Sequence, residues 1–311
     1  MMILLITVST NTLYEKMNRD DPDGLKRFQN MSAKIMICNF GSSHGMRGFN
    51  YEDINDVECF NFALQGQTID YDRRLFEYYS KNFEKDTIVF IPVSYHSLFG
   101  SGNATIGSED EGNARYYRIL PPNLIKDYDL RTDLYVRYFS SLTAGVDLIR
   151  VLSGRSRNTD DEVYPRSTTA GEVESTVNRV VTNHIITGCF DEEGNRIINE
   201  EAVASVKYMI KNCRESGFIP ILITTPFMRA YTDEVKRLDP GFYDDFYSLI
   251  DEISSETDVA YYDYAFDERF VDNYDWFMDS DHLNKEGGRN FTNIVMEEIV
   301  KPIREANNDT L

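Results

Sequence analysis

The chain has 311 residues, and 32 basic against 52 acidic side chains leave a formal net charge of −20. With 41% hydrophobic residues it can bury a sizeable core, which excludes wholesale disorder. The acidic excess argues against a nucleic-acid partner, which needs a basic footprint, and against docking on anionic lipid through a polybasic face.

The N-terminal run Met1–Val8 is apolar but too short to span a bilayer. It lacks the basic region and cleavage site of a signal peptide. Residues 1–33 therefore read as an N-terminal segment opening on a short strand or a frayed apolar end. The other reading is the remnant of a longer anchor, giving membrane association in the cell envelope; without an anchor the chain is cytoplasmic.

Lys34–Phe40 is a short apolar run ending in Gly-Ser-Ser, a buried strand entering a tight turn. Val57–Leu64 is a second strand, closed by Gln65-Gly66-Gln67. Thr68–Phe83 carries Leu75, Tyr78, Tyr79 and Phe83 at helical spacing. Thr87–Val93 has the continuous apolar character of a parallel-sheet interior. The stretch 98–200 is too long for a plain loop and reads as a mostly helical insertion. Within it, Gly100–Asn113 is a mobile loop, and Leu130–Leu152 is a helix with Leu134, Tyr138, Leu142 and Val146 on one stripe. Ser153–Thr169 is polar and disordered, and Phe190–Arg196 is a hairpin-like turn.

Glu200–Ser216 is a helix striped by Val203, Val206, Met209 and Ile210, with Gly217 as its stop. Ile219–Thr225 and Val259–Tyr264 are the fourth and fifth strands. Between them a helix in Pro240–Ser254 aligns Phe242, Phe246, Leu249, Ile250 and Ile253. A last helix runs from Lys285 to about Val300, just short of Pro302. Strands alternating with helices predict an α/β fold: three α/β/α layers around a flavodoxin-like, five-stranded parallel sheet. Residues 34–311 form that domain, interrupted by the insertion.

Four widely spaced cysteines without a CxxC pair predict free thiols and no zinc knuckle. No Walker loop or dinucleotide glycine pattern is present, so no cofactor is expected. Asp279 and Asp281 lack the ligand spacing of a calcium loop, so no metal is expected either.

The chain has only four histidines, His44, His96, His184 and His282, as candidate bases near neutral pH. His44 follows Gly41-Ser42-Ser43 at the end of the first strand. His282 lies in Asp279-Ser280-Asp281-His282-Leu283-Asn284, just before the last helix. Both segments can reach the crevice at the carboxyl ends of the strands. A serine in a strand-to-helix turn is presented with backbone N–H groups for an oxyanion, and a base can take its proton. Gly41 permits the sharp turn. Asp279, three residues before His282, can orient the imidazole. Ser42–Ser43 also reads as a helix N-cap, and His282 as a loop residue.

Taken in order, these segments resemble the SGNH (GDSL-like) hydrolase superfamily from Lys34 to about Phe291. Gly41-Ser42-Ser43 stands where the family has Gly-Asp-Ser, Gly66 where it has its oxyanion-hole glycine, and Asp279 and His282 in its DxxH motif. The resemblance implies a nucleophile at Ser43, a base at His282 oriented by Asp279, and an oxyanion hole from the N–H groups of Ser43 and Gly66. The Gly-Ser-Ser form is more similar to members that handle cell-surface polymers, such as D-alanyl transfer and alginate O-acetylation proteins. A serine esterase or O-acyltransferase acting on a carbohydrate ester through an acyl-serine is the implied function. The family's asparagine after the third strand is missing, since the chain reads Pro92-Val93-Ser94-Tyr95-His96. Ser94 is the first candidate for the missing donor, with Tyr95, His96 and, less favourably, Asn103 as others. His44, Tyr95, His96 and Trp276 are candidate substrate contacts. His44 alternatively meets a neighbouring carboxylate or packs under the loop, and His184 reads as structural. The absent asparagine motivates the other reading, a weak or inactive module that binds or assembles surface polysaccharide.

Overall fold

Five short apolar runs become the strands of one sheet in the computed structural model. They are Ile35–Asn39 (β1), Cys59–Asn61 (β2), Phe83–Pro92 (β3), Ile219–Thr224 (β4) and Ala260–Asp263 (β5). Every pairing is parallel and the spatial order is β2-β1-β3-β4-β5. The expected α/β fold with a five-stranded parallel sheet is therefore present, in flavodoxin-like order. The structure describes residues 2–17, 24–100, 114–142, 146–153 and 166–308. Asn103, nearly all of the expected Gly100–Asn113 loop and most of Ser153–Thr169 lie outside them.

Strand order positions the site. From β1 the chain turns to one side to form β2, then crosses to the other side of β1 to form β3. The crevice beyond the carboxyl ends of β1 and β3 is the topological switch point, where open α/β sheets bind ligands. The central strands are apolar because both faces are covered: Ile88 to Pro92 of β3 and Pro220 to Thr224 of β4 are all buried.

The helices, in chain order, are α1 (Met2–Met17), α2 (Ser43–Gly48), α3 (Ile69–Tyr79), α4 (Leu130–Tyr138), α5 (Val146–Leu152) and α6 (Ala170–Val181). They continue with α7 (Glu200–Glu215), α8 (Arg229–Leu238), α9 (Phe242–Thr257), α10 (Lys285–Val295) and α11 (Lys301–Asn308). Side-chain caps fix several starts. Thr68 accepts from Tyr71 N, Asn199 from Ala202 N, and Asn284 from Glu286 N and Gly287 N. Thr169 and Glu172 form a reciprocal capping box on α6. The apolar stripes of α7 and α9 are buried at each position the spacing selected.

Several expectations need correction. The apolar run expected to be a short strand or frayed end is instead the start of α1, which continues through the polar residues after Val8. Phe83 opens β3 and does not end α3. The final helix passes Pro302 through a π-turn at Met296–Val300. That turn re-registers the backbone so that Pro302 falls in the first turn of α11, where its missing N–H costs little. Leu130–Leu152 is broken into α4, a 3₁₀ turn at Ser140–Leu142, and α5. Its stripe residues Leu134, Tyr138 and Leu142 are exposed. The turn at Phe190–Arg196 is closed by an antiparallel bridge between those two residues.

The chain divides into two compact units. One comprises Met1–Met31 and Ile106–Pro165, the other Ser32–Thr105 and Arg166–Leu311. Only the middle of the expected insertion therefore leaves the sheet unit, and it joins the N-terminal segment, while α6 and the Phe190–Arg196 turn stay with the sheet. Within the first unit, buried Asn11 accepts from Ser141 N at 2.8 Å and donates to the Arg137 carbonyl at 3.2 Å. No helix among the described residues is long and apolar enough to cross a membrane.

Candidate active site

The turn after β1 is built to hold α2 close against the sheet. Gly41 has φ +112°, which L side chains rarely adopt, and a Cβ there would lie 3.2 Å from Pro92. Its N–H donates to Asp72 Oδ1 at 2.8 Å, the same oxygen that accepts from Gln67 Nε2 at 2.6 Å. One buried carboxyl thus joins the turn after β1 to the turn after β2. Burial pushes the Asp72 carboxyl up to about 7, against the pull of these two hydrogen bonds. A Cβ on Gly45 would sit 2.3 Å from the Phe40 carbonyl oxygen, so α2 can approach β1 this closely only with glycine there.

The far end of α2 is held by two amides. Asn61 Nδ2 donates to the carbonyls of Gly45, Met46 and Phe49 at 2.9–3.2 Å. Asn39 Nδ2 donates to Gly45 O and to Asn61 Oδ1. Both asparagines close their strands, where the apolar run gives way to polar residues. Ser42 takes the N-cap position without a side-chain capping bond, which leaves Ser43 as the first helical residue.

The loop before α10 reaches the same place. Asn284 caps α10 and also donates to the Asp275 carbonyl at 2.7 Å. A Cβ on Gly287 would fall 2.0 Å from the Trp276 carbonyl, and one on Gly288 would fall 2.2 Å from the Arg47 carbonyl. The two glycines let the loop and α2 press onto the start of α10. Arg47 adds a tie, donating to Gln65 Oε1 at 3.2 Å and to Met278 Sδ at 2.9 Å.

Ser43, His282 and Asp279 meet in one hydrogen-bonded chain. His282 Nε2 lies 2.8 Å from Ser43 Oγ, and His282 Nδ1 lies 3.1 and 3.0 Å from the two Asp279 oxygens. Asp279 Oδ1 also accepts from the N–H groups of Asp281 and His282 at 3.1 and 2.7 Å, which fixes its rotamer. Burial works against a charge on His282, but Asp281 and Asp279 outweigh it and raise its pKa above the ordinary histidine value.

A second layer lies beneath. Asp281 is buried, and its Oδ2 lies 3.2 Å from His44 Nε2, 3.5 Å from His282 Nδ1 and 3.9 Å from His184 Nδ1. The His44 ring stacks on His282 at 4.6 Å, and His96 lies 5.2 Å from His44 and 4.6 Å from His184. Three of the chain's four histidines therefore face one carboxylate, and the fourth, His96, packs against two of them. Burial would raise the Asp281 carboxyl, but His282 and the His44 hydrogen bond hold it well below the usual range. Burial and the neighbouring His282 charge push His44 down to about 4. Burial likewise lowers His184 and His96. At neutral pH the three inner imidazoles are thus uncharged.

The remaining sequence candidates separate. His44 meets a carboxylate, one of the three readings given for it, and is buried. His184, expected to be structural only, belongs to the cluster. Tyr95 is fully buried, stacked on Phe227 at 4.8 Å and edged by Phe246, so its ring fills the core and faces no crevice. Trp276 is half-buried against Phe270, and its carbonyl accepts from Asn284 N, which makes it a support of the loop. Ser94 opens a turn closed by Ser97, whose hydroxyl accepts from Ser94 N and donates to Ser94 O. The Ser94 hydroxyl makes no hydrogen bond among the described residues. Gly66 has φ +61°, and its N–H likewise has no acceptor among them.

The residues that sequence reasoning passed over are Asn39, Asn61 and Asp72; Asp281 was weighed only as a calcium ligand and not as a partner of the histidines. The polar ends of the first two strands and the doubled aspartate of Asp279-Ser-Asp281-His282 were the available signals. Comparison with protein-family models gave no match, and comparison with curated proteins gave none.

Proposed function

We propose that the protein is a serine ester hydrolase or O-acyltransferase of SGNH type, acting on an O-acyl ester of a carbohydrate. The observation that carries this reading is the 2.8 Å contact between His282 Nε2 and Ser43 Oγ, with Asp279 on the opposite ring nitrogen. Ser43 Oγ attacks the ester carbonyl carbon while His282 Nε2 takes its proton. The oxyanion is received by the N–H groups of Ser43 and Gly66, with the Ser94 hydroxyl as third donor. Collapse releases the alcohol, protonated by His282, and leaves an acyl-serine. Water or a sugar hydroxyl then gives up a proton to His282 as it attacks the acyl carbon, and the imidazolium returns that proton to Ser43 Oγ as the acyl–oxygen bond breaks. The two carboxylates at Asp279 and Asp281 stabilise the imidazolium formed at each step.

The test is hydrolysis of p-nitrophenyl acetate and an acetylated sugar by wild type, Ser43→Ala and Ser94→Ala. Ser43→Ala is expected to lose roughly 10³-fold or more in kcat. Ser94→Ala is expected to lose about 10²–10³-fold, the usual cost of one oxyanion donor. Equal turnover by Ser43→Ala rejects the mechanism. Glycan binding with no turnover by wild type would favour the assembly module over the enzyme.

A further inference from the structure

The cluster beneath the triad holds more ligating groups than a serine mechanism requires. The donor atoms of His44, Asp281 and His282 all lie within 4.8 Å of one another, and the side chains of His44 and Asp281 are each only 1% exposed. A tetrahedral zinc ion with bonds of 2.0–2.1 Å sets its ligand atoms about 3.3–3.4 Å apart. The edges from Asp281 Oδ2 to His44 Nε2 and to His282 Nδ1 are 3.2 and 3.5 Å. His184 Nδ1 lies 3.9 Å from the same oxygen and 2.8 Å from the Tyr231 hydroxyl, so it stands beside the set and not in it. Two imidazoles and a carboxylate, with a third imidazole alongside, suit a borderline divalent transition metal better than calcium or magnesium, which prefer all-oxygen shells.

We propose that His44, Asp281 and His282 form a binding site for a divalent transition-metal ion such as zinc, and that the bound ion switches off the serine. Binding stands on the ligand geometry alone; the inhibitory consequence rests on the esterase reading. The proton balance explains the switch. In the working arrangement the neutral His282 ring carries its proton on Nδ1, facing the carboxylates, and its Nε2 lone pair faces Ser43. Coordination through Nδ1 moves that proton to Nε2, with none released. Nε2 then donates to Ser43 Oγ and can no longer accept from it, so no base remains. His44 makes the same exchange, from Nε2 to Nδ1. Its Nδ1 has no hydrogen-bond partner among the described residues and is open to the proton.

The ion also draws His282 away from Asp279, so metal and triad are alternatives. The site departs from the expectation of no metal: in sequence Asp281 pairs only with Asp279, without calcium-loop spacing, whereas residues 44 and 281–282 come from opposite ends of the sheet unit and meet only on folding.

The experiment is calorimetric titration of zinc chloride into the chelator-treated full chain, on wild type, Ser43→Ala, His44→Gln and Asp281→Asn. One zinc per chain is expected, with binding retained in Ser43→Ala, weakened only by loss of the hydroxyl that accepts from His282, and weaker binding still, at least about tenfold below wild type, in His44→Gln and Asp281→Asn. Cobalt on wild type gives a second readout that needs no variant to fold: the visible bands of a tetrahedral ion, displaced by zinc. Absence of saturable binding overturns the site, as does equal binding by His44→Gln. In a parallel arm, zinc is expected to abolish Ser43-dependent ester hydrolysis and chelator to restore it. Tight zinc binding with undiminished hydrolysis overturns the switch. A metal-free chain that never hydrolyses ester fails the esterase reading and leaves the binding result standing.

Discussion

Asp279 and Asp281 sit two residues apart and do different work. Asp279 is about one-third exposed and faces His282 along the ring plane, while Asp281 is buried among imidazoles. Because both carboxylates raise the His282 pKa, the base loses its lone pair at a pH above the ordinary 6.5. Activity should therefore fall as pH drops through a midpoint above 6.5. Asp281→Asn should move that midpoint down, which a kcat/KM–pH profile reads directly; an unmoved midpoint would count against Asp281 acting on His282. Asp72 gives a stability test of opposite sign. Its folded pKa of about 7 exceeds the unfolded value near 3.8, so stability falls as pH rises between them. The loss reaches at most about 4 kcal/mol. Asp72→Asn keeps an oxygen for Gly41 N and Gln67 Nε2 and removes the charge. Its melting temperature should exceed that of wild type by more at pH 8 than at pH 5, and equal gains at both would reject the buried charge. Ser43, His282 and Asp279 were legible because short motifs carry them. The histidine cluster was not, since residues 44, 96, 184 and 282 lie on four segments that only tertiary folding joins.

At the scale of elements, the site depends on how closely α10 packs on α2. Gly288 meets the Arg47 carbonyl, and Arg47 lies one helical turn beyond Ser43. Gly288→Ala must push α10, and His282 with it, away from Ser43. A stability loss of about 1–3 kcal/mol is expected from overpacking. A displacement near 1 Å should cost about 10²-fold in kcat. Thermal melts and kcat together check this, and full activity in Gly288→Ala would show that the close approach is not needed. The stripes of α7 and α9 were legible because several turns of helix repeat them. The six residues of α2 are too few to show a period, and amides at the ends of β1 and β2 hold the helix in place. Pro302 misled for a local reason: the π-turn before it is invisible to a rule about proline alone.

At the scale of the whole molecule, the parallel sheet was legible because strands buried on both faces read as continuous apolar runs. The pairing of Met1–Met31 with Ile106–Pro165 was not, because residues far apart in sequence make that unit. The net charge of −20 bears on the substrate through long-range steering. A cationic ester should show a kcat/KM several-fold above that of its anionic analogue at low salt, with the ratio falling towards one by about 0.5 M salt. A reversed or salt-insensitive ratio would remove charge from the description of specificity. The nucleophile itself is tested most directly by intact-protein mass spectrometry after exposure to a fluorophosphonate. One adduct per chain on wild type and none on Ser43→Ala is the expected result. Labelling of Ser43→Ala at the wild-type rate would contradict it.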